Sequence, residues 1–578
     1  MKKNWDLTYI FQNKEKWFEE KEILKEKIKI YEDHLKNLTM DTFKEVLEEK
    51  IQIDEWIEKI YCYPKRFLDV NNQDKEHQNM FNEALQIYEQ IVRLSQFFEK
   101  FILKNSKDIQ KFIDENPYYT RYLSLYLRKK DYQVKNEELF AFLYHEQITF
   151  QDLYRSLSEN DLSFGNVTNE EGEEVQLTKK LYQSLLLSPN EEIRKNAYEV
   201  YNKAYQKIQN TLAILLNKKY EIEFRQAKAQ NFSSILAQKM FLDELPENTI
   251  ENLINVANQK LEIYKKFSEL KKQVLGLSEM HLYDASLPLG TVSKMKIELE
   301  SAIEYAKASL NILGNDYVRR IDEAFKEGWV DVYPKENKRK MTFSCISYCG
   351  VPYASLNYHD NLISARNLVH ELGHSIHTSY AKEQGYPYFE YSLFIAEVVA
   401  KVNEMLFNEY MLAQDLPKEE KIYLLTNIIS SLGNSLFNQM LFTEFEDAII
   451  KEKEKNQTLT ADAINQIYLQ IFTKYNQESV ILDEMVQSSW TKIPHLFMNR
   501  SYYLYQYTIG AALAIEIAHK LKNANFQSKY IDFLKIGNTK SIIDSLKMLD
   551  IDLTNDEYIK SSYQYLNDQI EKLTRILK

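Results

Sequence analysis

Apolar positions along this chain recur mainly at intervals of three and four. The stretch 78–103, QNMFNEALQIYEQIVRLSQFFEKFIL, shows the pattern clearly. Such spacing puts apolar groups on one side of a 3.6-residue helix and polar groups on the other, so an amphipathic helix is predicted there. Residues 1 to about 155 read as helical throughout, and the charge-rich face of 13–36 reads as a solvated helix surface. The pattern changes at 162–177, LSFGNVTNEEGEEVQL, where apolar and small residues flank an acidic Glu-Gly turn and a short β-ribbon is predicted. Helical periodicity resumes over 190–275, with Asn190 ahead of Glu191 and Glu192 as a helix cap. The run 281–290, HLYDASLPLG, is a connection by its Pro288 and Gly290, and 295–327 is helical again. Three short strands are predicted at 328–334 (GWVDVYP), 341–348 (MTFSCISY) and 352–358 (PYASLNY), directly before another helix. The remainder, 386–578, is mostly helical and rich in tyrosine.

Composition agrees with a mainly α fold. Twelve glycines and ten prolines in 578 residues leave little room for many tight turns. The chain is too long for one ordinary core, so two or more packed units are expected. The expected division is an N-terminal helical domain over 1–185 and a catalytic domain over 186–578. A net charge of −12 argues against a nucleic-acid partner, which needs a basic face. The first residues, MKKNWDLTYIFQNKEKW, lack the apolar run of a secretory signal. No stretch approaches the roughly 18–20 apolar residues of a membrane span. Three cysteines, Cys62, Cys345 and Cys349, suit a reducing compartment, so a cytoplasmic location is expected. Cys345 and Cys349 read as free thiols because no second pair accompanies them.

The candidate chemistry lies in 368–377, LVHELGHSIH, which contains HExxH. On a helix, His370 and His374 lie one turn apart on the same face, so both imidazoles can reach one zinc ion. Glu371 is placed to take a proton from a metal-bound water rather than to bind the metal. Chance supplies about 0.03 such motifs in a chain of this composition. Leu368, Val369, Leu372 and Ile376 add the apolar stripe of a buried helix, which Asn361 or Ser364 can open. Gly373 is unfavourable inside a helix, which suggests a close approach beside the metal.

A catalytic zinc needs a third protein ligand. His377 is seven residues from His370, about 10.5 Å along a straight helix, too far for one ion unless the helix breaks. The following segment FIAEVVAKVNEML, 394–406, offers Glu397 in an otherwise apolar turn, where a buried carboxylate is costly without a charge or metal partner. Glu383 and Glu390 compete from the loop EQGYPYFE, and Glu397 is the favoured ligand. Glu404, two turns beyond Glu397 on the same face, can accept the free ring N–H of a ligand histidine. His377 is left to a nearby polar role or the wall of the site.

HELGHSIH followed by FIAEVVAKVNE resembles the oligoendopeptidase F group, relatives of thimet oligopeptidase. WDLTYIF, HLYDASLPL, GWVDVYP, PYASLNY and IPHLFMNRSYYLYQYTIG agree across almost the whole chain. The resemblance implies a two-lobed, helical zincin-type metallopeptidase with a small β-sheet beside the HExxH helix and a deep channel. It implies one zinc ion per chain and cleavage of short, unstructured oligopeptides at internal bonds. Carried over by that resemblance, His495 and Tyr507 are the donors that stabilise the developing oxyanion. Tyr505, and then Tyr503 or Tyr502, are alternatives for sharing that work or touching substrate, against the ordinary packing role of a tyrosine. PYASLNY, through Ala354, can pair with an extended peptide if it lies at a sheet edge; otherwise it is an internal strand. Arg500 keeps open a carboxypeptidase or dipeptidase, which needs a cation for the terminal carboxylate. An inactive zinc-containing peptide-binding protein is a third reading. Monomer and dimer both remain open.

Overall fold

The computed structural model describes residues 1–134, 149–290, 293–455 and 457–578. The expected helix over the first 155 residues therefore lies partly outside the described residues. The helices that frame the sites are, in chain order, α1 (Lys14–Lys36), α2 (Phe43–Val70), α3 (Lys75–Lys104), α4 (Glu191–Ala229), α5 (Asn315–Glu327), α6 (Leu362–Ala381), α7 (Leu393–Ala413), α8 (Gln439–Glu454) and α9 (Tyr505–Lys520). The strands are β1 (Asn166–Thr168), β2 (Glu174–Gln176), β3 (Val330–Asp331), β4 (Phe343–Ser344) and β5 (Ala354–Ser355). Among the described residues the fold is mainly α with two small sheets.

Helix α3 shows how the pattern becomes structure. Asp74 caps it by accepting from the His77 N–H, and Met80, Ala84, Ile87, Ile91, Leu94, Phe98 and Ile102 form its buried stripe. Helix α4 starts where Asn190 accepts from the Glu192 N–H at 3.0 Å. The ribbon at 162–177 forms as the antiparallel pair β1–β2. The helical stretch 295–327 is interrupted at Gly314, whose φ of +95° ends one helix and precedes α5.

The chain forms two compact units. One comprises Met1–Asp131, Lys294–Gln414 and Ile517–Ile551; the other comprises Tyr132–Ser293, Asp415–Glu516 and Asp552–Lys578. The boundary expected at 185/186 does not coincide with this division. Each unit is assembled from three separated segments, which local periodicity cannot reveal.

Within the first unit, α6 is buried along most of its length and packs against α7. Gly373 permits the close approach: a Cβ there would lie 2.8 Å from the Ala400 Cα and 3.1 Å from Asn403 Nδ2. The neighbour that requires glycine is thus the backbone of α7, the helix that also carries Glu397, in keeping with the expected close approach. Asn403 Nδ2 donates to the Val369 carbonyl at 3.2 Å, and the Tyr317 hydroxyl of α5 donates to Asn403 Oδ1 at 3.0 Å.

The three-stranded sheet has the order β3–β5–β4. β5 pairs in parallel with β3 and antiparallel with β4, so Ala354 occupies the centre of the sheet. Its N–H donates to the Trp329 carbonyl at 2.8 Å, and its own carbonyl accepts from Trp5 Nε1 at 2.7 Å. Ala354 is fully buried, and its backbone groups are already used. Of the two readings of PYASLNY, the internal strand holds and peptide pairing through Ala354 does not: the edges are β3 and β4. Ser344 of β4 is 3.1 Å from the Ser375 hydroxyl of α6.

Candidate active site

Helix α6 begins where Asn361 accepts from the Ser364 N–H at 2.9 Å. Its register then places His370 and His374 one turn apart with their Nε2 atoms 3.1 Å apart. Two nitrogens bound to one tetrahedral ion at about 2.0–2.1 Å would be separated by about 3.3–3.4 Å, so the pair fits a shared metal closely. Glu397 of α7 completes the grouping, with carboxylate oxygens 3.7 Å from His374 Nε2 and 4.0 Å from His370 Nε2. Its side chain is 49% exposed, so the expected desolvation argument does not apply. Helix register and the α6–α7 packing place it instead.

Glu404, two turns further along α7, accepts from His370 Nδ1 at 2.5 Å. With a proton held on Nδ1 by Glu404, Nε2 is the His370 nitrogen left to bind a metal. Burial alone would raise the Glu404 carboxyl, but the His370 hydrogen bond and the charges of His370, Lys401 and Arg366 bring it down to about 2. Burial alone would lower His370, and the bond and charge of Glu404 outweigh it, for a net rise. Burial and the charge of His370 hold His374 well below the usual histidine range, which keeps the neutral imidazole that a metal requires.

Glu371 is buried, and its Oε2 has no hydrogen-bond partner among the described residues. Burial pushes its carboxyl up to about 7 against the pull of His370, and Glu397 and Glu404 add to the rise. A cation between the histidines would reverse that local sign and favour the carboxylate. The converging imidazoles and flanking carboxylate form a donor set that fits zinc, and the orphaned oxygen of Glu371 stays outside it.

His377 is separate from this grouping. It is buried, its ring stacks on Tyr391 with centroids 3.7 Å apart, and its Nδ1 has no partner among the described residues. Glu383 pairs with Arg320 at 2.6 Å, and neither Glu383 nor Glu390 joins the histidines. Among the described residues one other trio of possible ligands converges, Glu58, Cys62 and Cys349. The Ser347 hydroxyl donates to Glu58 at 2.8 Å and lies 2.9 Å from Cys349 Sγ and 3.5 Å from Cys62 Sγ, so hydrogen bonds already link this trio. All three cysteines are free thiols.

The aromatic candidates lie in the second unit. His495 sits in a single turn, Pro494–Phe497, and Tyr507 in the first turns of α9. The His495 ring lies 6.1 Å from Tyr503, nearly parallel, and 6.1 Å from Tyr507, nearly perpendicular. Tyr503 and Tyr507 meet edge to face at 5.6 Å. Burial lowers the His495 pKa, which favours a neutral imidazole. Tyr505 does not join this cluster in a substrate-facing role: it is fully buried and its hydroxyl donates to Asp243. Tyr502 is buried too, with its hydroxyl bound to Asp447 at 3.1 Å. Arg500 is exposed.

The profile of peptidase family M3 matches residues 184–565. The chain belongs to peptidase family M3. Relatives extend the match beyond that span. Oligopeptidase PepF of Bacillus subtilis is 29% identical over 99% of this chain and 87% of its own. Group B oligopeptidase PepB of Streptococcus agalactiae is 28% identical over 100% and 97%. A solved Chlamydophila abortus chain superposes with a TM-score of 0.91 at 25% identity, covering 99% of this chain and 98% of that one. Oligoendopeptidase-F from Enterococcus faecium shares the fold, with a TM-score of 0.72 at 24% identity over 97% and 98%. This M3 chain is a metallopeptidase, an endopeptidase, and its oligoendopeptidase F resemblance holds from end to end. No helix among the described residues is long and apolar enough to cross a membrane.

Asn403 and Ala400 were not anticipated from the sequence. Their signal was available: a small and a polar residue interrupt the apolar run of 394–406, three and six positions after Glu397.

Proposed function

We propose that the protein is a zinc-dependent endopeptidase that cleaves internal bonds of short, unstructured oligopeptides, with one ion per chain held by His370, His374 and Glu397. When bound, zinc supplies a Lewis acid that polarises a carbonyl oxygen and brings the pKa of water toward neutrality. Glu371 accepts the proton of the attacking water as general base and can pass it to the leaving amine. Glu404 holds the Nδ1 proton of His370 and so fixes the ring that presents Nε2. His495 and Tyr507 donate to the oxyanion, where a donor matters most because charge develops there in the transition state. Tyr503 contacts substrate beside them. We also place the protein in the cytoplasm, a reading supported by its three free, buried thiols.

The observation that carries this reading is the meeting of two histidine Nε2 atoms 3.1 Å apart with Glu397 alongside, in a chain of family M3. The test is digestion of a mixed peptide library with and without chelator, read by mass spectrometry, for the parent and Glu371→Gln. The variant should keep stoichiometric zinc and lose at least roughly 10²–10⁴-fold in turnover, the range of a general base. Near-parental turnover would sink the mechanism. Peptides blocked at both ends should be cut; refusal of all of them would favour a carboxypeptidase or dipeptidase.

A further inference from the structure

The segment 500–504 of the second unit joins the turn that carries His495 to the helix that carries Tyr507. At its centre Tyr502 adopts a φ of +53°, the left-handed region that a bulky residue seldom enters. A strained residue persists only where its surroundings impose the conformation. Here they do so through charge. The Tyr502 N–H donates to Glu446 Oε2 at 3.0 Å, and its hydroxyl donates to Asp447 at 3.1 Å. The other Glu446 oxygen accepts from the Tyr220 hydroxyl at 3.3 Å. One residue earlier, the Ser501 hydroxyl accepts from Lys219 Nζ at 2.6 Å and donates to Glu223, which itself pairs with Lys219 at 3.2 Å. Helices α4 and α8 thus close four ionisable side chains on two consecutive loop residues.

Lys219, Glu223 and Glu446 are buried. Buried charges are a poor way to stabilise a helical interior, since apolar residues of similar volume usually do as well or better. Their better use is to impose one geometry on a polar backbone. The residue that follows the clamped pair is Tyr503, whose ring meets both His495 and Tyr507.

We propose that the buried Lys219–Glu223–Glu446 network is a positioning device that clamps Ser501 and Tyr502 and thereby sets the rings of Tyr503 and Tyr507 against His495. The inference rests on the proposed roles of His495 and Tyr507. The three charged groups touch no reacting atom; they act through the loop.

The test compares steady-state cleavage of a short fluorogenic peptide, blocked at both ends, by full-length zinc-loaded variants held well below their unfolding midpoints. Glu446→Ala should lower kcat roughly 10- to 100-fold with KM within about threefold, the signature of a misplaced transition-state contact. Glu446→Gln keeps an acceptor for the Tyr502 N–H and should restore most of that loss. A network that only stabilised the fold would lower the unfolding midpoint and leave kcat alone. If Glu446→Ala does not fold, Tyr502→Phe removes one clamp bond and Ser501→Ala removes two, and each should lower kcat about three- to tenfold. Parental kcat in Glu446→Ala, or in both replacements, overturns the proposal. Amide exchange over 499–504, measured without substrate, should quicken in the same variants while exchange in α6 stays unchanged; unaltered exchange in that loop also overturns it. Failure of the underlying reading looks different, because Tyr507→Phe would then keep its full kcat.

Discussion

The α6–α7 pair and the 500–504 segment both hold chemically equipped side chains in fixed places, by opposite means. In the helix pair, position follows from repeat geometry. His370 and His374 are one turn apart, Glu397 and Glu404 two turns apart, and Gly373 lets the two helices meet. In the loop, position follows from long-range polar contacts, with Glu446 and Lys219 reaching Tyr502 and Ser501 from 56 and 282 residues away. Regular backbone needs little help to aim a side chain. A left-handed tyrosine needs several neighbours at once.

Glu397 depends most heavily on helix register. If helix register alone aims this exposed carboxylate at the histidines, Glu397→Ala should lower zinc affinity by more than 100-fold, beyond the roughly 10- to 100-fold lost with an outer hydrogen-bond partner. Competition against a chromophoric chelator measures it. His377→Ala should shift the same titration far less, and a larger loss in His377→Ala than in Glu397→Ala would reverse the ligand assignment.

Gly373 tests the packing that underlies the register. Alanine would gain about 1 kcal/mol of helix propensity over glycine. Against this, its Cβ would sit 2.8 Å from the Ala400 Cα, a backbone atom that cannot swing away. Overpacking of this kind costs about 1–3 kcal/mol, so the net effect of Gly373→Ala should be destabilising. Zinc affinity should fall as well, because α7 carries both Glu397 and Glu404. A variant more stable than the parent in urea, with unchanged zinc affinity, would show that the close approach constrains neither helix.

The same contrast explains what the chain disclosed in advance. Long helices, the β1–β2 ribbon, the caps at Asn190 and Asn361 and the histidine pair were legible because their signals are local and periodic. Glu397 was chosen as a buried carboxylate in an apolar turn; it does stand beside the histidines, but its side chain is half exposed and helix register places it there. The close neighbour of Gly373 proved to be a helix backbone, which a single helix cannot announce. Edge and internal readings of Ala354 stayed open because a short strand carries no mark of its neighbours, and only the β3–β5–β4 order makes it central. Tyr505 resembled its neighbours in composition, yet its hydroxyl is bound to Asp243, 262 positions away. Two units were expected, but their make-up was hidden for the same reason, each being built from three separated segments.

His377 should matter least to the metal. It shares α6 with the ligands yet sits in a stack on Tyr391, with Nδ1 lacking a partner among the described residues. Burial depresses its pKa from 6.5 to about 3. Above pH 6.5 the ring is neutral in both folded and unfolded chains, and the full stability is present. As pH falls from 6.5 toward 3 the unfolded chain takes up the proton and the folded chain does not, so stability is lost through that window. Between pH 7 and pH 5 this one group should remove on the order of 2 kcal/mol. His377→Phe keeps a ring against Tyr391 and leaves no unsatisfied nitrogen. In chelator-treated protein, the gap between parent and variant urea midpoints should therefore move in favour of the variant as pH drops from 7 to 5, with other titrating groups cancelling in the difference. Zinc affinity at pH 7 should stay within about threefold, since the proposed ligand set leaves this ring out. A gap that does not change with pH would mean that the imidazole finds a proton acceptor in the folded chain, and that α6 carries polar duty beyond its ligand turn.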